Sequence, residues 1–470
     1  MTDTTISPRT PVDILTRLSI MMFFQFFVWG AWYVTLGTYM GEKGLGASIG
    51  NAYTVGPIAA IISPFFLGMV ADRYFATQRV LGALHIVGGL ALLAAPKLAQ
   101  MSQEASRLHP TGNSPLVDPN HLPFLLAIFV HMLCFMPTLG LSNSISFAHI
   151  KNAQRDFPVV RVLGTIGWIV AGILVSKVMK SDKTDDFFYV AGGAGILLGL
   201  FSFSLPHTPP PSAGKKASAG EILGVDALSL MKSPSFAIFI VASLLTCIPL
   251  AGYYTKAQLF VDHAGFENPA YWMTFGQMSE IVFMLLIPFF FVRLGVKWML
   301  AVGMLAWAVR YALFAGAAHD GTAWMILAGI ILHGICYDFF FVTGFIYVER
   351  KAPPAIRAQA QGFLVLVTQG FGLGIGAQVF QRIFDHYSPK DASALVAQAE
   401  ALRKQAGTLL ETSPGATAEA SSLLHQASEI LLKSADWQMI WMIPAIGAAG
   451  ILAFFVVGFH DKEVPASGEQ

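Results

Sequence analysis

Residues 271–292 read YWMTFGQMSEIVFMLLIPFFFV, and residues 323–348 read AWMILAGIILHGICYDFFFVTGFIYV. Each run exceeds the roughly 20 residues a helix needs to cross the hydrocarbon core of a bilayer. Each also keeps a carboxylate near its middle, Glu280 in the first and Asp338 in the second. An acidic side chain at the centre of a membrane helix costs about 2.5–3.5 kcal/mol on insertion scales. It persists where it lines a wet path, pairs with another charge or carries a proton. The chemistry of this chain is therefore expected inside a membrane.

The rest of the sequence agrees. The 470 residues are 55% hydrophobic and 12% charged, with mean hydropathy +0.60. A soluble domain carries about 25% charged residues. Apolar runs of spanning length begin near Leu15, Ile49, Arg79, Leu122, Phe157, Phe187, Pro234, Tyr271, Lys297, Thr322, Arg357 and Trp437. The expected fold is all-α and polytopic, with twelve transmembrane helices. A net charge of +1 gives no electrostatic footprint for a nucleic acid. Cys134, Cys247 and Cys336 lie in apolar runs without CxxC spacing, so neither a disulfide frame nor a metal site is expected. The polar N-terminus leads into an apolar run lacking a cleavage-type site, as in an uncleaved first helix. Arg79, Lys151, Lys215, Lys216, Arg293, Lys297, Arg350 and Lys351 fall in alternate loops, which places both termini in the cytoplasm. Short loops without a cleaved signal fit a bacterial inner membrane.

Two groups of six spans are expected. Residues 1–205 form the first, 206–233 a cytoplasmic linker opening on a Pro-rich stretch, and 234–470 the second. Within the linker, 221–232 reads as a short amphipathic surface segment. Pro158-Val-Val-Arg161 opens the fifth span and Pro354-Ala-Ile-Arg357 opens the eleventh, a weak internal repeat. Repeated halves with a site between them are common in secondary transporters. Residues 386–436 read as an extracytoplasmic helical hairpin, with helices over 392–410 and 417–433 broken at Ser413-Pro-Gly415.

Three constellations could carry chemistry. Gln277 and Glu280 stand three apart and share a helix face. They suit hydrogen bonding to a polar solute or proton carriage by Glu280; a structural ion pair between Glu280 and Arg310 is the alternative. His333 and Tyr337 stand four apart, with Asp338 beside them; here the alternative is a packed aromatic helix. Arg161, Thr165 and Trp168 offer a cation, a hydroxyl and an indole on one stripe. Arg161 also has the reading of an interfacial anchor, since Arg357 occupies the matching repeat position. Pairing of Arg161 with Asp338 would make a gate. Trp29 in the first span is as readily an interfacial aromatic as a ligand. The run of alternate glycines at 370–376 reads as close helix packing. No nucleophile–base set or phosphate loop appears, so an enzyme is not expected.

Gly68-Met-Val-Ala-Asp72-Arg73 resembles the loop signature of the major facilitator superfamily. The motifs Gln25-Phe-x-x-Trp29-Gly-x-Trp32, Met136-Pro-Thr-Leu-Gly140, Arg161-x-x-Gly-Thr-Ile-Gly167, Gln277-x-Ser-Glu280 and Tyr337-Asp-Phe-Phe340 together resemble the bacterial nucleoside:H⁺ symporter family. That resemblance implies a major facilitator fold and nucleoside import with a proton. It implies substrate contacts at Arg161, Thr165, Trp168, Gln277, Glu280, His333 and Tyr337, and proton coupling at Glu280 or Asp338. No cofactor is implied, and a monomer is expected in the bilayer. Two departures stand out. The family places amide ligands in the seventh span, where this chain reads Leu250-Ala-Gly-Tyr253-Tyr254; and its aromatic at position 333 has become histidine. These favour, as alternatives, a porter for a sugar, polyol or modified nucleoside. A membrane solute sensor that does not transport, using the hairpin as its output, is a further one.

Overall fold

The computed structural model describes residues 10–66, 74–109, 118–151, 153–210, 225–353, 356–413 and 415–460. The 68–73 loop motif, Lys215, Lys216 and the Pro354 start of the second repeat motif lie outside the described residues, as does most of the linker. Of the expected amphipathic segment, Val225–Lys232 is described and is a 3₁₀ helix.

The described chain is helical, with no strand. In order come α1 (Val12–Trp32), α2 (Leu36–Glu42), α3 (Ile49–Phe66), α4 (Thr77–Leu108), α5 (Leu122–His149), α6 (Ala153–Gly172) and α7 (Asp186–Ser202). After the linker follow α8 (Pro234–His263), α9 (Pro269–Ala317), α10 (Ala323–Ile331), α11 (His333–Tyr337), α12 (Thr343–Lys351), α13 (Arg357–Val365) and α14 (Leu373–His386). The chain closes with α15 (Ala392–Thr412), α16 (Thr417–Lys433) and α17 (Trp437–Gly458). Among the described residues, ten helices or joined runs are long and apolar enough to span a membrane, and α7 is a shorter apolar helix. Large apolar side chains point outward, including Leu285 at 74%, Val292 at 85% and Val457 at 75% exposure. Such a surface is stable against lipid rather than water. This is a multi-pass membrane protein.

Local sequence explains the joints. Pro234 and Pro269 occupy the first turn of α8 and α9, where a missing N–H costs nothing. Asn268, just before Pro269, adopts the left-handed conformation that asparagine tolerates. α9 has 49 residues, about twice what a bilayer needs. The sequence suggests a loop at Arg293–Lys297; instead helix continues on both sides of Gly295, whose φ of 63° kinks it into two limbs. Only glycine takes that conformation without strain.

The buried members of one apolar core come only from residues 227–459. Those of another come from 27–194 plus Ala377. Two antiparallel pairings join them. In the first, Thr165, Gly172 and Ser176 of the α6 run face Glu280, Thr274 and Tyr271 of α9. In the second, α3 meets α14: Gln378 donates to Thr54 at 2.8 Å and to Asn51 at 3.3 Å. The 370–376 glycines serve close packing, as expected. A side chain on Gly370 or Gly374 would strike α3 at Ile61 or Pro57, and one on Gly372 or Gly376 would strike α8 at Cys247 or Ala251.

The hairpin is present as α15 and α16, zipped by Ala399, Ala406, Ala420 and Ala427, all buried. Alanines seven apart on both helices let the backbones approach closely. Arg403 ties it to the end of α8 through Asp262 at 3.0 Å, and Glu400 reaches Lys183 at 3.2 Å.

Candidate functional site

α6 presents Arg161, Thr165 and Trp168 at helical spacing on one side, where it lies against α1. Glycines permit that contact: a side chain on Gly30 would meet the Trp168 backbone at 2.9 Å, and one on Gly167 would overlap the Phe23 carbonyl. Trp168 consequently sits edge-on to Trp29, 5.6 Å between ring centres. The Arg161 guanidinium lies over the Phe26 ring at 4.0 Å. Its buried Nη1 has no hydrogen-bond partner among the described residues.

From the other core, the first limb of α9 supplies Gln277 and Glu280, both buried. It crosses α11 at a contact too close for side chains: a Cβ on Gly334 would lie 2.6 Å from the Ser279 carbonyl. Ser279 accepts a bond from the Gly334 N–H at 2.9 Å and donates to the Gly276 carbonyl at 2.7 Å. This crossing brings Tyr337 and Asp338 up to Glu280, and His333 up to Gly276 one turn earlier on α9. The His333 and Tyr337 rings lie 5.7 Å apart, sharing a face as their spacing predicts. Asp338 begins a π-helical turn, Asp338–Val342, of the kind frequent at functional positions. It is fully buried, and neither carboxylate oxygen has a hydrogen-bond partner among the described residues.

The two sets meet. Thr165 donates to Glu280 Oε1 at 3.4 Å. Arg161 lies within electrostatic reach of Glu280, Asp338 and Tyr337, and Glu280 within reach of Asp338. A cation, two carboxylates and a phenol thus share one largely buried place, with the Trp168 indole one turn along α6 from Thr165, and the set can hold a polar aromatic solute and exchange a proton. Two surface grooves lie elsewhere. One of about 480 Å³ runs between α1 and α6 near Val12 and Val159, and one of about 420 Å³ is lined by Lys177, Tyr271 and Trp272.

One alternative is corrected. Arg310 does not pair with Glu280: its Nε donates to the Gly329 carbonyl at 2.9 Å, and its guanidinium packs over Tyr253 and Trp307. The helix turns it into its own bundle, away from the seam. Two residues were missed by the sequence reading. Tyr254 lies within electrostatic reach of Glu280 and Tyr337, and meets Tyr33 of the first core at 5.7 Å between rings. In sequence Tyr33 closes the aromatic run of the first span and Tyr254 closes the departing seventh-span stretch. Behind α1, Gln25 donates to Thr138 at 2.8 Å and contacts His85 Nε2 at 2.8 Å, a buried polar network.

Comparison with known proteins decides the family. The family model described as Nucleoside H+ symporter matches residues 12–107 and 117–464. The chain belongs to the nucleoside H⁺ symporter family. Its relatives include the putative nucleoside transporter YegT of Escherichia coli K12, 39% identical over 79% of this chain and 86% of that protein. Nucleoside permease NupG of the same strain is 33% identical over 96% of this chain and 97% of NupG. Xanthosine permease is 32% identical over 96% and 98%. Among solved structures, a D323A mutant of NupG superposes with a TM-score of 0.75 at 28% identity, covering 95% of this chain and all of that one. A bacterial homolog of the lysosomal transporter Spinster shares the fold at TM-score 0.63 and 14% identity.

Proposed function

We propose that this family member imports nucleosides with protons, by alternating access between two six-helix halves. The division rests on the two apolar cores and the antiparallel α6–α9 and α3–α14 pairings, with the two limbs of α9 counted as separate spans. By the positive-inside reading the termini are cytoplasmic and the hairpin extracytoplasmic. A monomer in a bacterial inner membrane fits these features.

The seam between α6 and α9 supports the site most directly, because it joins Thr165 to Glu280 where Arg161 and Asp338 converge. Arg161, Thr165, Gln277 and Glu280 offer hydrogen bonds to ribose hydroxyls, while Trp168, His333 and Tyr337 flank the base. One cation beside two carboxylates is neutral when a single carboxyl holds a proton. Losing that proton leaves a net negative charge in a low-dielectric interior, which opposes movement of the empty site. A proton and a neutral nucleoside therefore travel together, with Glu280 or Asp338 as the carrier.

A porter for a modified nucleoside is the second reading. It is favoured by the stretch Leu250-Ala-Gly-Tyr253-Tyr254, which carries no amide where the family uses them and in which Leu250 and Tyr253 are fully buried. Uptake of labelled uridine and adenosine into proteoliposomes, with and without an inward proton gradient, tests the proposal. Gradient-stimulated accumulation is expected; absence of uptake by folded protein would refute it.

A further inference from the structure

The two departures from the family are one structural unit. Tyr253 of α8 and His333 of α11, 80 residues apart, stack with rings 5.3 Å apart and 15° from parallel. Both side chains are buried, and the Tyr253 ring forms a wall against the His333 imidazole. The Arg310 guanidinium also packs on the Tyr253 ring, 4.2 Å from its centre, and lies 4.8 Å from the centre of the Trp307 ring. A chain of contacts therefore links Trp307, Arg310, Tyr253, His333 and Tyr337, the last within electrostatic reach of Glu280.

Arg310 grips the base of His333 as well. Helices α10 and α11 join at Leu332, which stays helical, its N–H donating to the Ala328 carbonyl at 3.0 Å. The Gly329 carbonyl, four residues before His333, accepts from Arg310 Nε at 2.9 Å. Arg310 thus fixes both the backbone leading into His333 and, through Tyr253, the plane of its ring. On the remaining side Gly276 leaves room: a side chain there would meet His333 Cβ at 3.0 Å. His333 Nδ1 is left buried, with no hydrogen-bond partner among the described residues. An imidazole held this firmly, with one ring nitrogen unspent, discriminates solutes by hydrogen bonding rather than by shape alone.

We infer that Tyr253 and Arg310 are positioning residues that set base specificity by holding His333 in place, so that its imidazole distinguishes oxo from amino groups on the nucleobase. This rests on the nucleoside reading above. Such specificity is carried by a hydrogen bond and needs an oriented partner, whereas a stacking aromatic tolerates every base.

The test compares KM and kcat for two matched pairs, inosine with adenosine and uridine with cytidine, in proteoliposomes. Variants are Tyr253→Leu, Arg310→Lys, His333→Phe and the double Tyr253→Leu/His333→Phe, each checked for monodispersity. Arg310→Lys keeps the charge and gives the same readout where Tyr253→Leu fails to fold. The expected result is an oxo-to-amino KM ratio shifted at least fivefold in each single variant, toward that of His333→Phe. The double variant should match His333→Phe alone, because the effect passes through one residue. Ratios unchanged in Tyr253→Leu and Arg310→Lys while kcat falls, or additive effects in the double variant, would overturn the inference and leave the nucleoside reading standing. Absence of nucleoside uptake by the unsubstituted protein would overturn both.

Discussion

Thr165 and Glu280 are 115 residues apart in sequence, yet the threonine hydroxyl donates to the glutamate at 3.4 Å. The bond crosses the α6–α9 seam between two expected substrate positions. It places a carboxylate at the contact that has to part and re-form if the two halves alternate.

Thr165→Val removes the hydroxyl while keeping the volume. The nucleoside KM is expected to rise about tenfold, with unfolding free energy changed by about 1 kcal/mol or less. Concentration-dependent uptake beside a thermal melt measures both. A rise in KM of less than twofold would count against a role for the pair in binding.

Gly334→Ala tests the crossing that lifts His333 and Asp338 to the seam. The added Cβ would lie 2.6 Å from the Ser279 carbonyl and 2.7 Å from the Glu280 nitrogen. The helices must separate, at an expected cost of about 1–3 kcal/mol. A lowered Tm in detergent and reduced uptake are the expected readings; a melt identical to the parent's would show that the crossing has slack.

The Gln25 network gives a stability prediction away from the seam. Thr138→Val deprives the Gln25 amide of its acceptor at 2.8 Å inside a buried site. Leaving that donor unsatisfied is expected to cost about 1–3 kcal/mol, measured by thermal unfolding. Gln25→Leu in the same background should recover part of it, because it deletes the orphaned group.

Asp182 supplies a pH dependence outside the spans. It lies between the α6 run and α7, accepting from Ser176 at 2.7 Å; Ser176 in turn accepts from the Tyr271 N–H at 3.2 Å. Burial pushes its carboxyl up to about 6, with Asp262 adding to the rise, while Ser176, the Ala270 amide and Lys183 pull the other way. The folded state therefore binds a proton more readily than the unfolded one. Stability falls as pH rises from about 4 to about 6, by up to about 3 kcal/mol. Asp182→Asn should flatten that slope; equal slopes in both proteins would remove Asp182 as its cause.

The sequence made the spans legible because apolar length is a local property, and the two carboxylates stood out because each interrupts such a run. The hairpin was legible too, through its alanine spacing and Pro-Gly break. Partnership between helices was not. Arg310 and Glu280 sit at similar depth, but depth does not fix helix rotation, and Arg310 turns toward Tyr253 instead. Tyr33 and Tyr254 carried no mark of partnership, since nothing local says that their helices meet. The Gln25, His85 and Thr138 network spans three helices and has no signature in any one of them. Gly295 was visible as a residue, but its positive φ, which divides α9, was not.

The most direct test of proton coupling at the seam is Glu280→Gln in proteoliposomes, with gradient-driven accumulation and nucleoside counterflow measured on one preparation. Glutamine keeps the Thr165 contact and cannot release a proton. The account predicts that accumulation against a gradient is lost while counterflow persists, unless Asp338→Asn alone produces that pattern. Accumulation unchanged in both variants would contradict it.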